Sequence, residues 1–193
     1  MTCVSYTAEG WGVGEIWHDG TRLVWHELPR PLADPSIGTR ARARRRTRET
    51  PSQGGVNHPP PSGSTIAAKR SRVSDRSVPK LNELLRRVGR YFEGERVDFA
   101  DAEIDLDGWT PFQRDILVAL RRVRYGEVVS YAELANLAGH PRAQRAAGTF
   151  CAHNRYPLVV PCHRVVSAHG LGSYGSLGLD YKRRLLALEG VTL

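Results

Sequence analysis

Residues 34–78 restrict the fold of this chain more than any other feature, because they contain almost no large apolar side chains. The stretch is rich in Pro, Gly, Ser and Arg, with the run Arg42–Arg46 and the triplet Pro59–Pro61. Such a composition cannot bury enough apolar surface to offset the entropy lost on ordering. The sequence predicts a flexible basic linker or insertion here, which could also serve as a non-specific DNA tether, and a core built from residues 1–33 and 79–193.

The net charge of +8 is unevenly distributed. Residues 34–79 carry 10 basic and 3 acidic side chains and residues 109–193 carry 11 and 5, whereas 1–33 and 80–108 together carry 7 and 12. A basic surface gains affinity for a polyanion by releasing condensed counterions, so this distribution favours a nucleic acid partner. Charge alone is equally compatible with arginine that only keeps the chain in solution.

The three cysteines, Cys3, Cys151 and Cys162, form an odd, scattered set without a Cys-x-x-Cys pattern. This spacing argues against a disulfide framework and an all-cysteine metal site, and it predicts at least one reduced thiol. The chain has no apolar run of about 18 residues and no secretory signal pattern. We therefore expect no membrane association and an intracellular location, in the cytoplasm or in the nucleus of a eukaryote.

The N-terminal part combines strand and helix signals. Short apolar runs between Val4 and Leu28 flank the polar tetrapeptide His18–Thr21, which is typical of a β-hairpin. From Pro79 to Gly94 apolar residues recur at helical spacing. The predicted N-terminal domain therefore joins a β segment at 1–33 to a helix and connection at 79–108.

Residues 109–193 are predicted to form a mostly helical domain. Thr110–Gln113 and Ser130–Glu133 both fit a capping box, and the second starts a short helix through Leu137. A further helix is predicted from Pro141 to about His153. Two short helices joined by a glycine-containing turn make a helix-turn-helix candidate, although such pairs are more often plain packing. The fold class predicted for the chain is thus α+β.

Leu158–Val166 places Cys162 and His163 side by side between two apolar, β-branched runs, which are typical of buried strands. A thiol attacks as its thiolate, and a neighbouring base is a common way to produce one. Adjacent residues of a strand point to opposite faces, so a turn after Pro161 or a bridging water would have to connect the pair. Local pattern alone also allows a structural cysteine beside an unrelated histidine, and we predict a core position for Cys151.

Several segments together resemble one family. Tyr125–Tyr131, Arg145, Asn154 and Pro161–Val165 match the pattern of the O6-alkylguanine-DNA alkyltransferases, also called methylated-DNA–protein-cysteine methyltransferases. The resemblance runs from about residue 109 to residue 190. It implies irreversible, single-turnover transfer of an alkyl group from O6-alkylguanine in double-stranded DNA, with O4-alkylthymine as a further candidate substrate, by a monomer without a cofactor.

The resemblance also implies roles in the reaction. Cys162 would accept the alkyl group, His163 would take the thiol proton through a bound water, and Glu189 would orient that histidine. Tyr131 would donate a proton to guanine N3 as the base leaves. The target nucleotide would be flipped out of the duplex, because its O6 atom cannot be reached inside the stack.

Further roles follow for the helix pair and the pocket. The second helix would enter the minor groove, with Arg145 filling the vacated space in the base stack. Close approach to DNA is assigned to Tyr131 and to a group of small or basic residues: Arg142, Ala143, Ala146 and Gly148. The pocket and its coupling to that helix are assigned to Asn154, Val165, Tyr174, Gly175 and Ser176. The backbone donor to guanine O6 stays open between Gly175 and Ser176.

The sequence also bears on a zinc site and on three alternative functions. The only candidate zinc ligands, Cys3, His18, His26 and His58, lack an organised spacing, so we predict no metal. A damage sensor of the same fold would lack the acceptor cysteine. A sequence-specific DNA-binding regulator would not need Cys162, and a thiol hydrolase would need an oxyanion signature that the sequence does not display.

Overall fold

The computed structural model describes residues 1–31 and 77–193. Most of the linker predicted at 34–78, including the candidate ligand His58, lies outside these residues. The elements, in chain order, are β1 (Thr2–Ala8), β2 (Gly12–His18), β3 (Leu23–Arg30), α1 (Ser77–Phe92), α2 (Pro111–Arg121), β4 (Val129–Ser130), α3 (Tyr131–Leu137), α4 (Gln144–Ala152), β5 (Val165–Val166) and α5 (Gly178–Leu188), with single 3₁₀ turns at Cys162–Arg164 and Gly175–Leu177.

The N-terminal residues form a three-stranded antiparallel sheet in the order β1-β2-β3. The predicted turn joins β2 to β3, and Asp19 closes it by accepting hydrogen bonds from the backbone N–H groups of Thr21 and Arg22, at 2.9 and 2.8 Å. Alternate residues of the sheet, such as Ile16 and Leu23, are buried. Helix α1 packs on this face, and it begins two residues before the predicted Pro79.

The helix pair is formed by α3 and α4. Both predicted capping boxes are present, at Thr110 with Gln113 and at Ser130 with Glu133. Helix α4 begins at Gln144 rather than at Pro141, because Arg142 has a φ of 69° and this left-handed backbone cannot continue a helix. The predicted start of the second helix was therefore wrong by three residues.

Strand β3 forms hydrogen bonds to two parts of the chain, residues 77–108, which with 1–31 make up the N-terminal half, and residues 109–193, the C-terminal half. Its Leu23 exchanges backbone hydrogen bonds with Glu103 and Asp105, at 2.8 and 2.9 Å, and its His26 N–H donates to the carbonyl of Arg155 at 2.9 Å. Buried residues of both halves, from Ile16 to Leu185, form one continuous hydrophobic cluster. The α+β prediction is confirmed, while the four domain boundaries stay a prediction.

The side chain of His26 fixes β3 against the loop that precedes Cys162. Because a carbonyl can only accept, His26 Nδ1–H donates to the carbonyl of Pro157 at 2.7 Å, and Nε2 accepts from the Tyr6 hydroxyl at 2.8 Å. Burial lowers the pKa of His26 to about 4. The buried imidazole is therefore neutral at pH 7.

We expect this histidine to weaken the fold in mild acid. The unfolded chain binds a proton near pH 6.5 and the folded chain only near pH 4, so His26 should lower the free energy of unfolding by up to about 3 kcal/mol over that interval. Urea unfolding at several pH values should show a smaller loss in His26→Gln. The exposed control His169→Gln should behave like the unchanged protein, and equal slopes in both variants would contradict the assignment.

Candidate active site

Cys162 lies in a 3₁₀ turn, not between two strands as predicted. Leu158–Val160 are buried but form a turn, in which Leu158 has a φ of 68°. Val165–Val166 form a two-residue strand that pairs in parallel with Val129–Ser130. The apolar runs reflect burial alone, and the turn removes the opposite-face arrangement that a strand would impose on Cys162 and His163.

Asn154 shapes this turn from the end of α4. Its amide donates to the carbonyl of Val160 at 2.7 Å and to Cys162 Sγ at 3.1 Å, and its carbonyl accepts from Tyr156 N–H at 3.0 Å. The Asn154 side chain thus satisfies the Val160 carbonyl, while the Val159 carbonyl accepts from Arg121 Nε at 3.3 Å. Asn154 also links the second helix of the pair directly to the cysteine.

Glu189 is the centre of a buried polar cluster behind the cysteine. Its carboxylate accepts from His163 Nε2 at 2.8 Å, from Arg164 Nε and Nη2 at 2.9 Å each, from the Tyr91 hydroxyl at 2.7 Å and from Gly126 N–H at 3.1 Å. Burial opposes its ionisation, but the hydrogen bonds from His163 and Arg164 and the charge of Arg164 outweigh burial and hold its pKa far below the usual range. The carboxylate is therefore ionised.

The cluster leaves His163 able to accept a proton. Burial lowers the pKa of His163, so the imidazole is neutral, and its Nε2 already donates to Glu189. Its Nδ1 is buried and has no hydrogen-bond partner among the described residues. Burial raises the pKa of Cys162, against the Asn154 hydrogen bond and the Lys182 charge, which lower it. The resting sulfur is thus a thiol, next in sequence to a neutral base.

Cys162 lines a cavity of about 210 Å³. One water molecule occupies roughly 30 Å³ in the liquid, so the cavity can hold a group larger than a water molecule. Four other predicted site residues line the same cavity: Asn154, Tyr174, Gly175 and Ser176. The opposite wall is β3, with Trp25, Glu27 and Arg30, and the Arg30 guanidinium donates to Ser176 Oγ at 2.9 Å. A larger cavity of about 300 Å³ beside α1 contains none of the predicted site residues.

The remaining predicted DNA contacts lie on and around α4. Arg142, Arg145 and Ala146 are exposed, whereas Gly148 is half-buried and Ala143 precedes the helix as its N-cap. A Cβ on Gly148 would lie 3.8 Å from the ring of Tyr131, an ordinary van der Waals contact, so packing against this ring does not itself require glycine. Burial raises the pKa of Tyr131 and keeps it a phenol. Tyr131, Val165 and Arg145 do not line the Cys162 cavity.

The carbonyl of Val165, assigned to the guanine amine, already accepts from Lys182. The Lys182 ammonium is fully buried and lies 2.5 Å from the carbonyls of both Val165 and Leu171. Burial lowers its pKa. A carbonyl oxygen has two lone pairs, so Val165 can accept one further hydrogen bond.

Four residues of the site were missed or assigned differently from the sequence. Tyr91, Arg164 and Lys182 were not singled out, and Cys151, predicted to be core, is half-buried and lines the cavity beside Cys162. Lys182 falls on the buried face of α5 with Leu185, Leu186 and Glu189, so a lysine at helical spacing with apolar residues was an available signal. No local signal marks Arg164 or Tyr91 as partners of Glu189.

Those candidate zinc ligands that the structure describes, Cys3, His18 and His26, do not form a metal site. Within residues 1–31 and 77–193, no group of three or more His, Cys, Asp or Glu side chains could hold a metal ion. Cys3 is exposed, and both ring nitrogens of His26 are already hydrogen-bonded. In the same residues we find no helix whose length and hydropathy would let it cross a bilayer.

The C-terminal part of the chain is similar to proteins of known family. Residues 111–191 match the family model described as 6-O-methylguanine DNA methyltransferase, DNA binding domain. A methylated-DNA–protein-cysteine methyltransferase of Methanopyrus kandleri is 44% identical over 111 residues, which cover 57% of this chain and 81% of that protein. The chain belongs to the methylated-DNA–protein-cysteine methyltransferase family.

Two further relatives show how far the similarity extends. The methylated-DNA–protein-cysteine methyltransferase of Mycolicibacterium paratuberculosis is 50% identical over 103 residues, which span 53% of this chain and only 61% of that protein. The crystal structure of Mycobacterium tuberculosis OGT in complex with DNA aligns with a TM-score of 0.60 at 31% identity, over 97% of this chain and 92% of that one. The methyltransferase fold therefore extends over both halves of the chain.

Proposed function

We propose that this protein repairs alkylated DNA by transferring the alkyl group of O6-alkylguanine, and of O4-alkylthymine, to Cys162 in one irreversible turnover. The observation that carries the proposal is the buried pair of Glu189 and His163, next to a cysteine that lines a cavity. Family membership and the DNA complex of the M. tuberculosis relative support the same conclusion. No cofactor enters the proposed reaction.

The reaction starts with the thiol proton. Neutral His163, with Nε2 bound to Glu189, offers Nδ1 as the acceptor, and a bound water carries the proton from Cys162. Glu189 stabilises the imidazolium that forms, in the same way as the acid of a nucleophile–base–acid triad. The pKa of the thiol is raised by burial, so deprotonation depends on this base and on the charge of Lys182.

The thiolate then attacks the alkyl carbon. A bond forms between Sγ and that carbon, the carbon–O6 bond breaks, and its electron pair moves to guanine, which is neutralised as Tyr131 donates a proton at N3. The His163 imidazolium then gives up its proton and the Tyr131 phenolate regains one through solvent, so that overall the thiol hydrogen and the alkyl group exchange places. A thioether has no good leaving group, so nothing regenerates the thiol and the protein is consumed.

DNA binding is assigned to the exposed face of α4. Arg142, Ala146 and Gly148 would approach the minor groove, together with Ala143 at the start of the helix, and Arg145 would fill the stack after the nucleotide flips. Small side chains suit that approach. Asn154 would transmit the position of α4 to the active-site turn through its bonds to Val160 and Cys162.

The flipped base would be held by the segments around the cysteine. Val165 would accept from the guanine amine with its remaining lone pair, and Tyr174 would form an aromatic wall. The backbone N–H of Gly175 or Ser176, both on the cavity wall, would donate to O6. We propose that one monomer binds one lesion.

The decisive experiment is intact mass spectrometry after incubation with a duplex that contains one O6-methylguanine. We expect one added methyl group per protein, on the peptide that contains Cys162, and no further turnover with excess DNA. Cys151→Ser is the matched control, because Cys151 lines the same cavity but has no contact with the His163 cluster, and it should still be methylated.

Other outcomes separate the rival functions. Tight binding to the lesion without covalent transfer would indicate a damage sensor, and tight sequence-dependent binding to undamaged duplex would indicate a regulator. Repeated turnover would point to a hydrolase. Each of these results would contradict the proposal.

A further inference from the structure

Tyr91 brings the N-terminal half of the chain into contact with the active-site cluster. It lies on α1, on the same buried face as Leu84 and Val88, and its side chain is 0% exposed. Its hydroxyl donates to Glu189 Oε1 at 2.7 Å and lies 3.3 Å from His163 Nε2. Among the α1 side chains that the structure describes, no other reaches Glu189 or His163 by a hydrogen bond.

The hydrogen-bond inventory fixes the direction of these bonds. Glu189 Oε1 accepts from three groups: the Tyr91 hydroxyl, His163 Nε2 and Arg164 Nη2. An ionised carboxylate has no hydrogen to give, so the tyrosine and the imidazole both donate to it. His163 is thereby held as the tautomer with hydrogen on Nε2, and Nδ1 is its basic nitrogen.

We propose that Tyr91 is a positioning residue for the proton transfer: its hydrogen bond to the Glu189 carboxylate fixes that group and draws on its charge, so that His163 stays unprotonated and free to take the thiol proton. The inference rests on the proposed alkyl transfer. Tyr91 acts through Glu189 and does not touch the sulfur or the DNA. The relay is therefore complete only when α1 is docked against the C-terminal half.

The direction of the effect follows from two opposing contacts. Without the hydroxyl, Glu189 loses a donor at 2.7 Å and attracts a proton on His163 more strongly. His163 Nε2–H also loses a weak acceptor at 3.3 Å. The short bond to a charged oxygen is the stronger of the two, so its loss dominates and the pKa of His163 should rise.

Other charged and titratable groups around His163 stay in place in this comparison. Glu189 at the end of α5, Lys182 on α5 and Arg164 in its own turn act on His163. Tyr174 lies near Cys162 and Glu189. Tyr125 lies in the same aromatic cluster, with its ring 6.1 Å from that of Tyr91, but its hydroxyl donates to the carbonyl of Leu188 at 2.8 Å instead of to Glu189. Tyr125→Phe is therefore a matched control for Tyr91→Phe.

The test is the pH dependence of the single-turnover transfer rate on O6-methylguanine DNA. In Tyr91→Phe we expect the acid limb to move to higher pH by about 0.5 to 1 unit, with a several-fold slower reaction at pH values on that limb. Tyr125→Phe should keep the profile of the unchanged protein. Thermal melting of each variant identifies the pH range in which it is folded.

A second variant keeps the ring and the hydrogen bond. Incorporation of 3,5-difluorotyrosine at position 91 makes the phenol a stronger donor, and the acid limb should then move to lower pH. A role confined to packing would move neither profile.

Superimposable profiles for Tyr91→Phe and Tyr125→Phe would overturn the inference and leave the proposed function intact. Absence of transfer by the unchanged protein at every pH would overturn the proposed function itself. The two failures are thus distinguishable in one set of measurements.

Discussion

Replacing Cys162 with serine is expected to lower the rate of alkyl transfer by at least about 10⁴-fold, below detection in most assays. A serine hydroxyl is a far weaker nucleophile than a thiol, and the site holds a base suited to a thiol but no second nucleophile in contact with His163. The change is nearly isosteric in a turn fixed by Asn154, so the fold and DNA binding should be retained. Transfer is measured with isotope-labelled methyl on the DNA.

The inactive Cys162→Ser protein also makes nucleotide flipping measurable. Its complex with lesion DNA should persist, and a fluorescent base analogue next to the lesion should brighten as stacking is lost. Adding Arg145→Ala should reduce that signal, because no side chain then fills the stack. Methyl transfer by Cys162→Ser would contradict the role proposed for Cys162. A base analogue that does not brighten when the protein with Arg145 binds would contradict the role proposed for Arg145.

Glu189→Gln is expected to damage both stability and reactivity. The carboxamide leaves the guanidinium of Arg164, which is 7% exposed, without its counter-charge, and breaking a buried pair from one side costs about 3–5 kcal/mol. His163 also loses the anion that stabilises its charged form, so the transfer rate should fall by at least about 100-fold.

Denaturant unfolding and single-turnover kinetics measure the two losses separately. Asp180→Asn is the control, because the Asp180 side chain is 99% exposed and its ion pair with Arg183 should contribute about 0.5 kcal/mol or less. Glu189→Asp retains the charge and should recover part of the stability. A Glu189→Gln protein as stable and as reactive as the control would contradict the role of the cluster.

Local signals in the sequence predicted the elements that local interactions form. The capping boxes at Thr110 and Ser130 join residues three positions apart, and the turn at Asp19 is closed within the same distance, so each was visible in a short window. The start of α4 was misplaced because nothing in the sequence announces that Arg142, a residue other than glycine, adopts a left-handed backbone.

The residues of the active site also divide into those that the sequence pointed to and those that it did not. Cys162, His163 and Glu189 were found through the family pattern, and their roles stay predictions until transfer is measured. The run Leu158–Val160 before Cys162 was predicted as strand because burial and β-branching give the same pattern in a strand and in a buried turn. Its determinant is the side chain of Asn154, and Tyr91 meets Glu189 across 98 positions of sequence, a separation at which no local pattern carries information.

Strand β3 forms one wall of the Cys162 cavity. Hydrogen bonds of His26 and Arg30 hold the strand in place. Engineering of this scaffold toward bulkier O6 substituents, for instance as a self-labelling tag, should therefore include Trp25 and Glu27 in the randomised library. Libraries confined to the loop at Gly175 and Ser176 would leave out the part of the cavity wall that β3 supplies to a larger transferred group.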